Sequence, residues 1–247
     1  MKPILFSWGP FHLFSYGAMI AVGVLAALAL MQRRARHDGF PSEQGVYDYV
    51  FCVLFSGFLG ARILYVIQNW DGYVREPWRV LAFWEGGLVF YGGLITSFAA
   101  VWLFARRRGD NVLRIFDFLL PHVALVHAFG RLGCFLNGCC YGKFSELPWA
   151  VQFPETPHPV HPTQLYEAGF NFLLFLFLTR RYQGKHGSGE IMALYFMFYA
   201  AARFVIEFWR ADNPVILVFT WNQWLGLFIM VVSGACLFRM RQPERAV

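Results

Sequence analysis

Charge is scarce in this chain. Asp, Glu, Lys and Arg make up only 15% of its 247 residues, against roughly 25% in an ordinary soluble domain. Acid is the scarcer sign, with 15 Asp and Glu against 21 Lys and Arg and a formal net charge of +6. With 57% hydrophobic residues and a mean hydropathy of +0.44, so few charges cannot cover a body that faces water on every side. That excludes a soluble protein with a large core. The sequence also lacks a cleavable leader. Met1 and Lys2 lead into Trp8, Gly9 and Pro10, and no small-residue cleavage site follows the first apolar block, so that block is read as a retained span. There is no internal repeat, low-complexity tract or second soluble domain. The basic excess does not form a nucleic-acid-binding face, because it is dispersed in short clusters between apolar blocks. A lipid bilayer is the expected partner and nucleic acid is not.

Apolar runs of spanning length occur at about 12–31, 46–66, 86–105, 190–209 and 221–238, with shorter or less pure runs at 114–129 and 165–179. A crossing takes roughly 20 residues, so the reading is seven crossings. The basic clusters test that count. Arg33, Arg34 and Arg36 follow the first run, and Arg106, Arg107, Arg108 and Arg114 follow the third. Arg180, Arg181 and Lys185 follow the fifth, and Arg239, Arg241 and Arg245 the seventh. None follows an even-numbered run. The positive-inside rule then sets the N-terminus outside and the C-terminus in the cytoplasm, as an odd number of crossings requires. The expected fold is an all-α integral membrane protein with seven transmembrane helices, forming one membrane domain over residues 1–247. A proline- and glycine-rich stretch, 130–163, is expected to form a small extracytoplasmic head. Trp70, Trp78 and Trp84 lie on the same outer side.

Ionised side chains near hydrocarbon cost at least ~2.5 kcal/mol each at a helix centre, so each needs a reason. Arg62 lies toward the outer end of the second run and Arg131 at the outer end of the fourth. Arg203, Glu207 and Arg210 lie at the end of the sixth, spaced i, i+4, i+7 along one helical face. One reading is interface anchors or helix-tying salt bridges. The other is a phosphate site: four guanidiniums at one depth, with one acid among them, call for an anion, and the planar fork of arginine fits a phosphate. The pairs Gly86-Gly87 and Gly92-Gly93 leave two readings equally open, close helix packing and room for acyl chains. Cys52 and Cys236 lie inside apolar runs and need no function.

The motifs resemble those of the prolipoprotein diacylglyceryl transferase family. GRLGCFLNGCCYG, residues 130–142, is similar to the family pattern GRxGNFxNGExxG. WEGGLVFYGGLI, residues 84–95, is similar to WxGGMxFHGGLI, and Tyr16-Gly17 to a Tyr-Gly in the first span. HPTQLYE at 161–167, RFVIEFWR at 203–210 and Gln223 resemble further family blocks, all in the family's order. The resemblance implies transfer of the diacylglyceryl group of phosphatidylglycerol to the lipobox cysteine of a prelipoprotein signal peptide, with glycerol 1-phosphate released, in the bacterial inner membrane. It implies no cofactor and no metal. Carried over residue by residue, it implies that Arg203 meets leaving-group charge and Arg131 orients the headgroup. Glu207 holds Arg203 or Arg210, and Tyr16 and Asn137 bind glycerol or phosphate oxygens. Gly142, Arg210 and Gln223 complete the substrate site on that resemblance, and Arg62 joins it by its charge and depth.

Three positions depart from the family. Tyr91 stands where the family has its candidate histidine base, and a phenol of pKa ~10 is a poor base at neutral pH. Tyr91 is therefore read as a positioning or relay group. His161 is a substitute base, though a His-Pro pair can serve only to fix a turn. Cys134 and Cys139 replace asparagine and glutamate, and Cys140 adds a third thiol. A disulfide between Cys134 and either neighbour and a set of reduced thiols are both open, and a lipidated thiol is a lesser reading. Two other activities are carried alongside: a paralogue that lipidates a different acceptor, and a non-catalytic phospholipid-binding or flipping protein.

Overall fold

In the computed structural model, which describes residues 3–8, 11–83, 86–210 and 214–241, the chain is an α-helical membrane protein. Trp84 and Glu85 of the glycine-rich motif, Arg245 of the last basic cluster, and Met1, Lys2, Gly9 and Pro10 lie outside the described residues. Two strands, β1 (Ile4–Trp8) and β2 (Phe11–Phe14), pair antiparallel before α1 (Ser15–Asp38) and α2 (Glu43–Gln68). A single turn, α3 (Trp70–Tyr73), and a 3-10 turn (Pro77–Leu81) lead to α4 (Phe90–Arg108). Then come α5 (Val112–Asn137), α6 (Thr163–Gln183) and α7 (Glu190–Ile206). A short hairpin, β3 (Val215–Ile216) and β4 (Phe219–Thr220), precedes α8 (Trp221–Arg241).

Five helical stretches are long and apolar enough to cross a bilayer: Ser15–Asp38, Glu43–Gln68, Val112–Asn137, Glu190–Trp209 and Trp221–Met240. α4 and α6 fall where two further crossings were expected, and their charged and polar residues dilute their hydropathy. Boundaries moved for local reasons. The first helix starts at Ser15 rather than 12, because Phe11–Phe14 is taken up as a strand against Ile4–Trp8. It runs on to Asp38, where basic Arg36 and His37 sit in the last turn. Cations there complement the helix dipole, and Arg34 pairs with Asp38 at 2.5 Å. The stretch expected to be irregular from Gly130 is helical as far as Asn137, and the turn-rich part is Gly138–Pro162.

The chain divides into two compact units, residues 32–115 and residues 1–31 with 116–247. In the first, glycine lets α2 and α4 meet backbone to backbone. A Cβ at Gly92 would collide with the Gly60 carbonyl, and one at Gly93 with that of Gly57. Thr96 and Ser97 donate across the seam to the Ser56 and Val53 carbonyls at 2.8 and 3.0 Å. Of the two readings of these glycines, close packing therefore accounts for Gly92-Gly93. Gly86 and Gly87 instead have φ near +78° and +77°, a left-handed turn that a side chain resists.

In the other unit, Asp117 of α5 is buried and accepts the backbone N–H groups of Gly189 and Met192 at 2.6 and 2.8 Å, fixing the start of α7. α7 and α8 pack together, with Gly226 against the Ala200 carbonyl. Thr220 and Gln223 form a reciprocal cap on α8. The Thr220 N–H donates to Gln223 Oε1 at 3.0 Å, and the Gln223 N–H to Thr220 Oγ1 at 3.3 Å.

The α2–α4 seam makes a first prediction. Gly92→Ala forces backbone apart and costs about 1–3 kcal/mol as an overpacked site. Gly169→Ala, where a Cβ meets nothing within 4 Å, does not. Thermal unfolding midpoints in detergent should fall for the first variant only.

Candidate functional site

The charged residues of α5, α6 and α7 converge on one carboxylate. Glu167, in the second turn of α6, is 2% exposed. Its Oε2 lies 2.7 Å from Arg131 Nε on α5. Its Oε1 lies 3.6 Å from both Arg203 Nη1 on α7 and Arg210 Nη1 just past the turn that follows α7. Arg203 Nη1 also meets Glu207 Oε2 at 2.9 Å. Glu207 is held in turn by the Thr220 hydroxyl at 3.0 Å and the Asn222 amide at 3.1 Å. Among the described residues, three guanidiniums therefore gather around two carboxylates. Arg131 Nε is close to Glu167 but poorly aligned as a hydrogen bond, and Arg203 Nη1 at 3.6 Å stands beyond hydrogen-bond distance of it. Both N–H directions are thus open to a better-placed acceptor.

Sequence reasoning missed Glu167. It counted one acid among the arginines, because Glu167 lies beside Pro162 at the edge of an impure apolar run. A signal was present: Gln164, Glu167 and Asn171 recur at helical spacing on one face, and all three are buried.

Other sequence candidates fall into different roles. Arg62 is 2% exposed, and all five of its N–H directions go to backbone. Nε donates to the Val80 carbonyl, Nη1 to Gly86 and Gly87, and Nη2 to Arg79 and Ala82, at 2.5–3.3 Å. It organises the loop between α3 and α4, and its donors are spent there rather than on an anion. Gln223 is likewise consumed, by the α8 cap and by the Phe204 carbonyl at 3.3 Å. A Thr-x-x-Gln pattern before an apolar run could have revealed that role. Gly142 carries a close approach. Its N–H donates to the His161 carbonyl at 2.8 Å, it bridges Arg210 as an antiparallel pair, and a Cβ would strike the Trp209 carbonyl. The head is thereby tied to the segment that carries Arg210. Tyr91, in the first turn of α4, is 52% exposed.

His161 Nδ1 lies 3.2 Å from the Tyr166 hydroxyl, which also accepts the Trp149 indole N–H at 2.8 Å. With that phenol already accepting, its own hydrogen suits Nδ1, which leaves the histidine proton on Nε2. Burial also pushes the His161 pKa down. A neutral ring with an Nε2–H is a donor, and the substitute-base role fits it poorly.

Tyr16, the second residue of α1, packs its ring against Gly133 and is 45% exposed. Beside it are the three thiols. The sulfurs of Cys134, Cys139 and Cys140 lie within 4.8 Å of one another, with Cys139 and Cys140 at 3.4 Å. All three are free thiols, not the staple that was one reading of the sequence. The sequence spacing gave no metal-ligand set, yet the fold gathers one. Among the described residues it is the one group of three or more His, Cys, Asp or Glu close enough to share an ion. Asn137, at the end of α5, reaches the Cys139 sulfur.

Comparison with known proteins shows the family. The family model described as prolipoprotein diacylglyceryl transferase matches residues 3–239. A phosphatidylglycerol–prolipoprotein diacylglyceryl transferase of Clostridium tetani is 35% identical, covering 94% of this chain and 95% of that relative. The protein of the same name from Bordetella parapertussis is 33% identical, covering 99% and 98%. That from Pseudomonas paraeruginosa is 34% identical, covering 96% and 92%.

The shared carboxylate makes the next prediction. Glu167→Gln keeps the volume but strands guanidiniums in a dry site, which costs about 3–5 kcal/mol when one partner of a buried pair is lost. Adding Arg131→Gln should recover part of that loss. Denaturant unfolding in detergent, read as a double-mutant cycle, measures both; strictly additive losses would contradict the coupling.

Proposed function

Because the chain belongs to the prolipoprotein diacylglyceryl transferase family, we propose that its arginine cluster grips the phosphate of phosphatidylglycerol while a protein cysteine attacks the lipid glycerol carbon. The activity is diacylglyceryl transfer from phosphatidylglycerol to a prolipoprotein, the first step of lipoprotein lipidation. The observation that carries the site assignment is the convergence of Arg131, Arg203 and Arg210, from three separate segments, on the buried Glu167.

In the reaction the acceptor sulfur forms a bond to the glycerol carbon as the carbon–oxygen bond to phosphate breaks. The electron pair leaves with glycerol 1-phosphate, whose monoester gains a second negative charge. Donors aimed where that charge grows lower the barrier. Arg203, braced by Glu207, is placed for the leaving oxygen, and Arg131 for the remaining phosphate oxygens. As the phosphate enters it competes with Glu167 for misaligned N–H groups, and Glu167 keeps them preorganised until then. Tyr16 and Asn137 line the same end of α5 and suit glycerol hydroxyls. His161, through Nε2–H, acts as a donor.

We read the chain as crossing the bacterial inner membrane seven times, α4 and α6 included, with the C-terminus in the cytoplasm. Support comes from the basic residues, which sit in the last turns of α1, α4 and α6. The site then opens toward the outer leaflet. A paralogous acceptor has no specific observation in its favour, and nor does a flipping role.

Two outcomes follow. With phosphatidylglycerol and a lipobox peptide, Arg203→Ala and Arg131→Ala each lower kcat at least about 10²-fold, the scale of losing a charge-stabilising donor, while the proteins still insert. Arg203→Lys does not restore the rate, since a point charge lacks the fork; full activity in both alanine variants would remove the assignment. Reporter fusions after Arg108 and after Lys185 should both read as cytoplasmic, and one after Pro157 as external.

A further inference from the structure

We propose that Cys134, Cys139 and Cys140 form a trithiolate site for a divalent cation of the zinc class, with the fourth position open to the acceptor cysteine; this second half rests on the transferase reading.

The backbone is built to present these sulfurs together. Cys134 lies in the last turn of α5, and the Cys139 N–H returns to its carbonyl at 3.2 Å. Gly138 and Cys140 both have positive φ, 76° and 66°. For cysteine that conformation is uncommon and needs support from its surroundings. The support comes from α6. The fully buried Gln164 amide donates to the Cys139 carbonyl at 2.6 Å, and the buried Thr163 hydroxyl to that of Cys140 at 3.0 Å. The thiols are therefore gathered by a scaffold that costs strain and buries polar groups.

Disulfide chemistry fits this arrangement badly. Disulfides use thiols in pairs, and three are gathered. Cys139 and Cys140, whose sulfurs lie 3.4 Å apart, are neighbours in sequence, with Cα atoms about 3.8 Å apart across a trans peptide, below the ~4.4 Å lower limit of ordinary disulfides, and no disulfide joins Cys134 to either. A tetrahedral zinc ion with bonds of about 2.3 Å holds its sulfurs about 3.8 Å apart. Separations of 3.4 Å for one pair and within 4.8 Å for all three bracket that value. Among the described residues no His, Asp or Glu completes the set. Three protein ligands and one open position are the pattern of a catalytic rather than a structural zinc site. Cys134 is buried while Cys139 and Cys140 are half-buried, so an exogenous sulfur can approach from their side. Arg131 stands one helical turn before Cys134 and within electrostatic reach of it and of Cys140, which offsets the net negative charge of a divalent ion on three thiolates.

The open position has a use. An acceptor thiol that binds the cation gives up its proton to solvent, as coordinated thiols do outright. Its sulfur then forms the bond to the glycerol carbon as the phosphate departs with the carbon–oxygen pair. No oxidant or reductant is needed, and no side-chain base.

The test uses the full chain in detergent, reduced, desalted anaerobically and titrated with Co²⁺, then competed with Zn²⁺. We expect one Co²⁺ per chain with a sulfur-to-metal charge-transfer band, displaced by Zn²⁺. Affinity should fall at least tenfold in Cys139→Ser and in Cys140→Ser, but not in Cys52→Ser or Cys236→Ser, with helicity and elution volume as checks of folding. A peptide carrying the acceptor cysteine should shift the visible Co²⁺ bands, and the same peptide with serine should not. The site is overturned if the folded, reduced wild type gives no thiolate band, or if the band survives in both variants. Bands that ignore the cysteine peptide overturn the acceptor role. Release of glycerol phosphate from labelled phosphatidylglycerol is scored separately, so a failed transferase reading and a failed metal site give different results.

Discussion

Glu167 sits among three guanidiniums, and the arrangement of the chemical end of the molecule depends on it. Without that carboxylate, Arg131, Arg203 and Arg210 would repel one another in a half-buried site where water screens them poorly. With it, residues from α5, α7 and the segment beyond α7 converge on α6. Such a cluster is weak evidence for stability, since well-packed apolar residues of similar volume often do as well as a buried ion pair. Its value lies in holding cationic groups from three segments at close range. The second carboxylate, Glu207, sets Arg203 against the α8 cap through Thr220, so a helix-capping residue also positions the charge.

The supports around this centre are mostly backbone. Gly142 lets the head approach the Trp209 carbonyl closely enough to pair with Arg210. Gln164 and Thr163 bind the carbonyls of the cysteine turn from the same end of α6 that supplies Glu167. One end of α6 thus fixes both the arginines and the thiols. In the other unit Arg62 does analogous work on the loop before α4, with carbonyls in place of an acid. A buried arginine can therefore be an anion ligand or a loop clamp, and residue type and depth do not separate the two.

That ambiguity marks where the sequence stops being legible. The membrane class and the long helices are written in hydropathy, which is a sum over many residues and survives local error. Helix ends are set by single interactions such as the β1–β2 pairing or the basic last turn of α1, and those escaped. Gln223 was grouped with the site because motif membership records that a residue is needed without saying for what, and Arg62 because its charge and depth matched those of the other arginines. Glu167 was overlooked because a carboxylate at the mouth of an impure apolar run resembles a boundary residue. The thiols were legible as three cysteines but not as a cluster, because their proximity is created by the end of α5 and two left-handed residues that sequence spacing does not reveal.

The departures from the family pattern then belong together. By the resemblance, Tyr91 stands where a histidine would, and Cys134 and Cys139 stand in place of an amide and a carboxylate and supply sulfur. Taken singly, each is a loss. Taken with Cys140 and the turn that gathers them, they exchange one means of obtaining a thiolate for another. A base takes the proton from sulfur at the moment of attack, whereas a cation held by three sulfurs lowers the proton affinity of the fourth before the lipid arrives. On the proposed reading the arginine cluster is indifferent to that exchange, because its task there is the charge on the departing phosphate. Leaving-group stabilisation and nucleophile activation rest on different residues, so the second could change while the first stayed fixed.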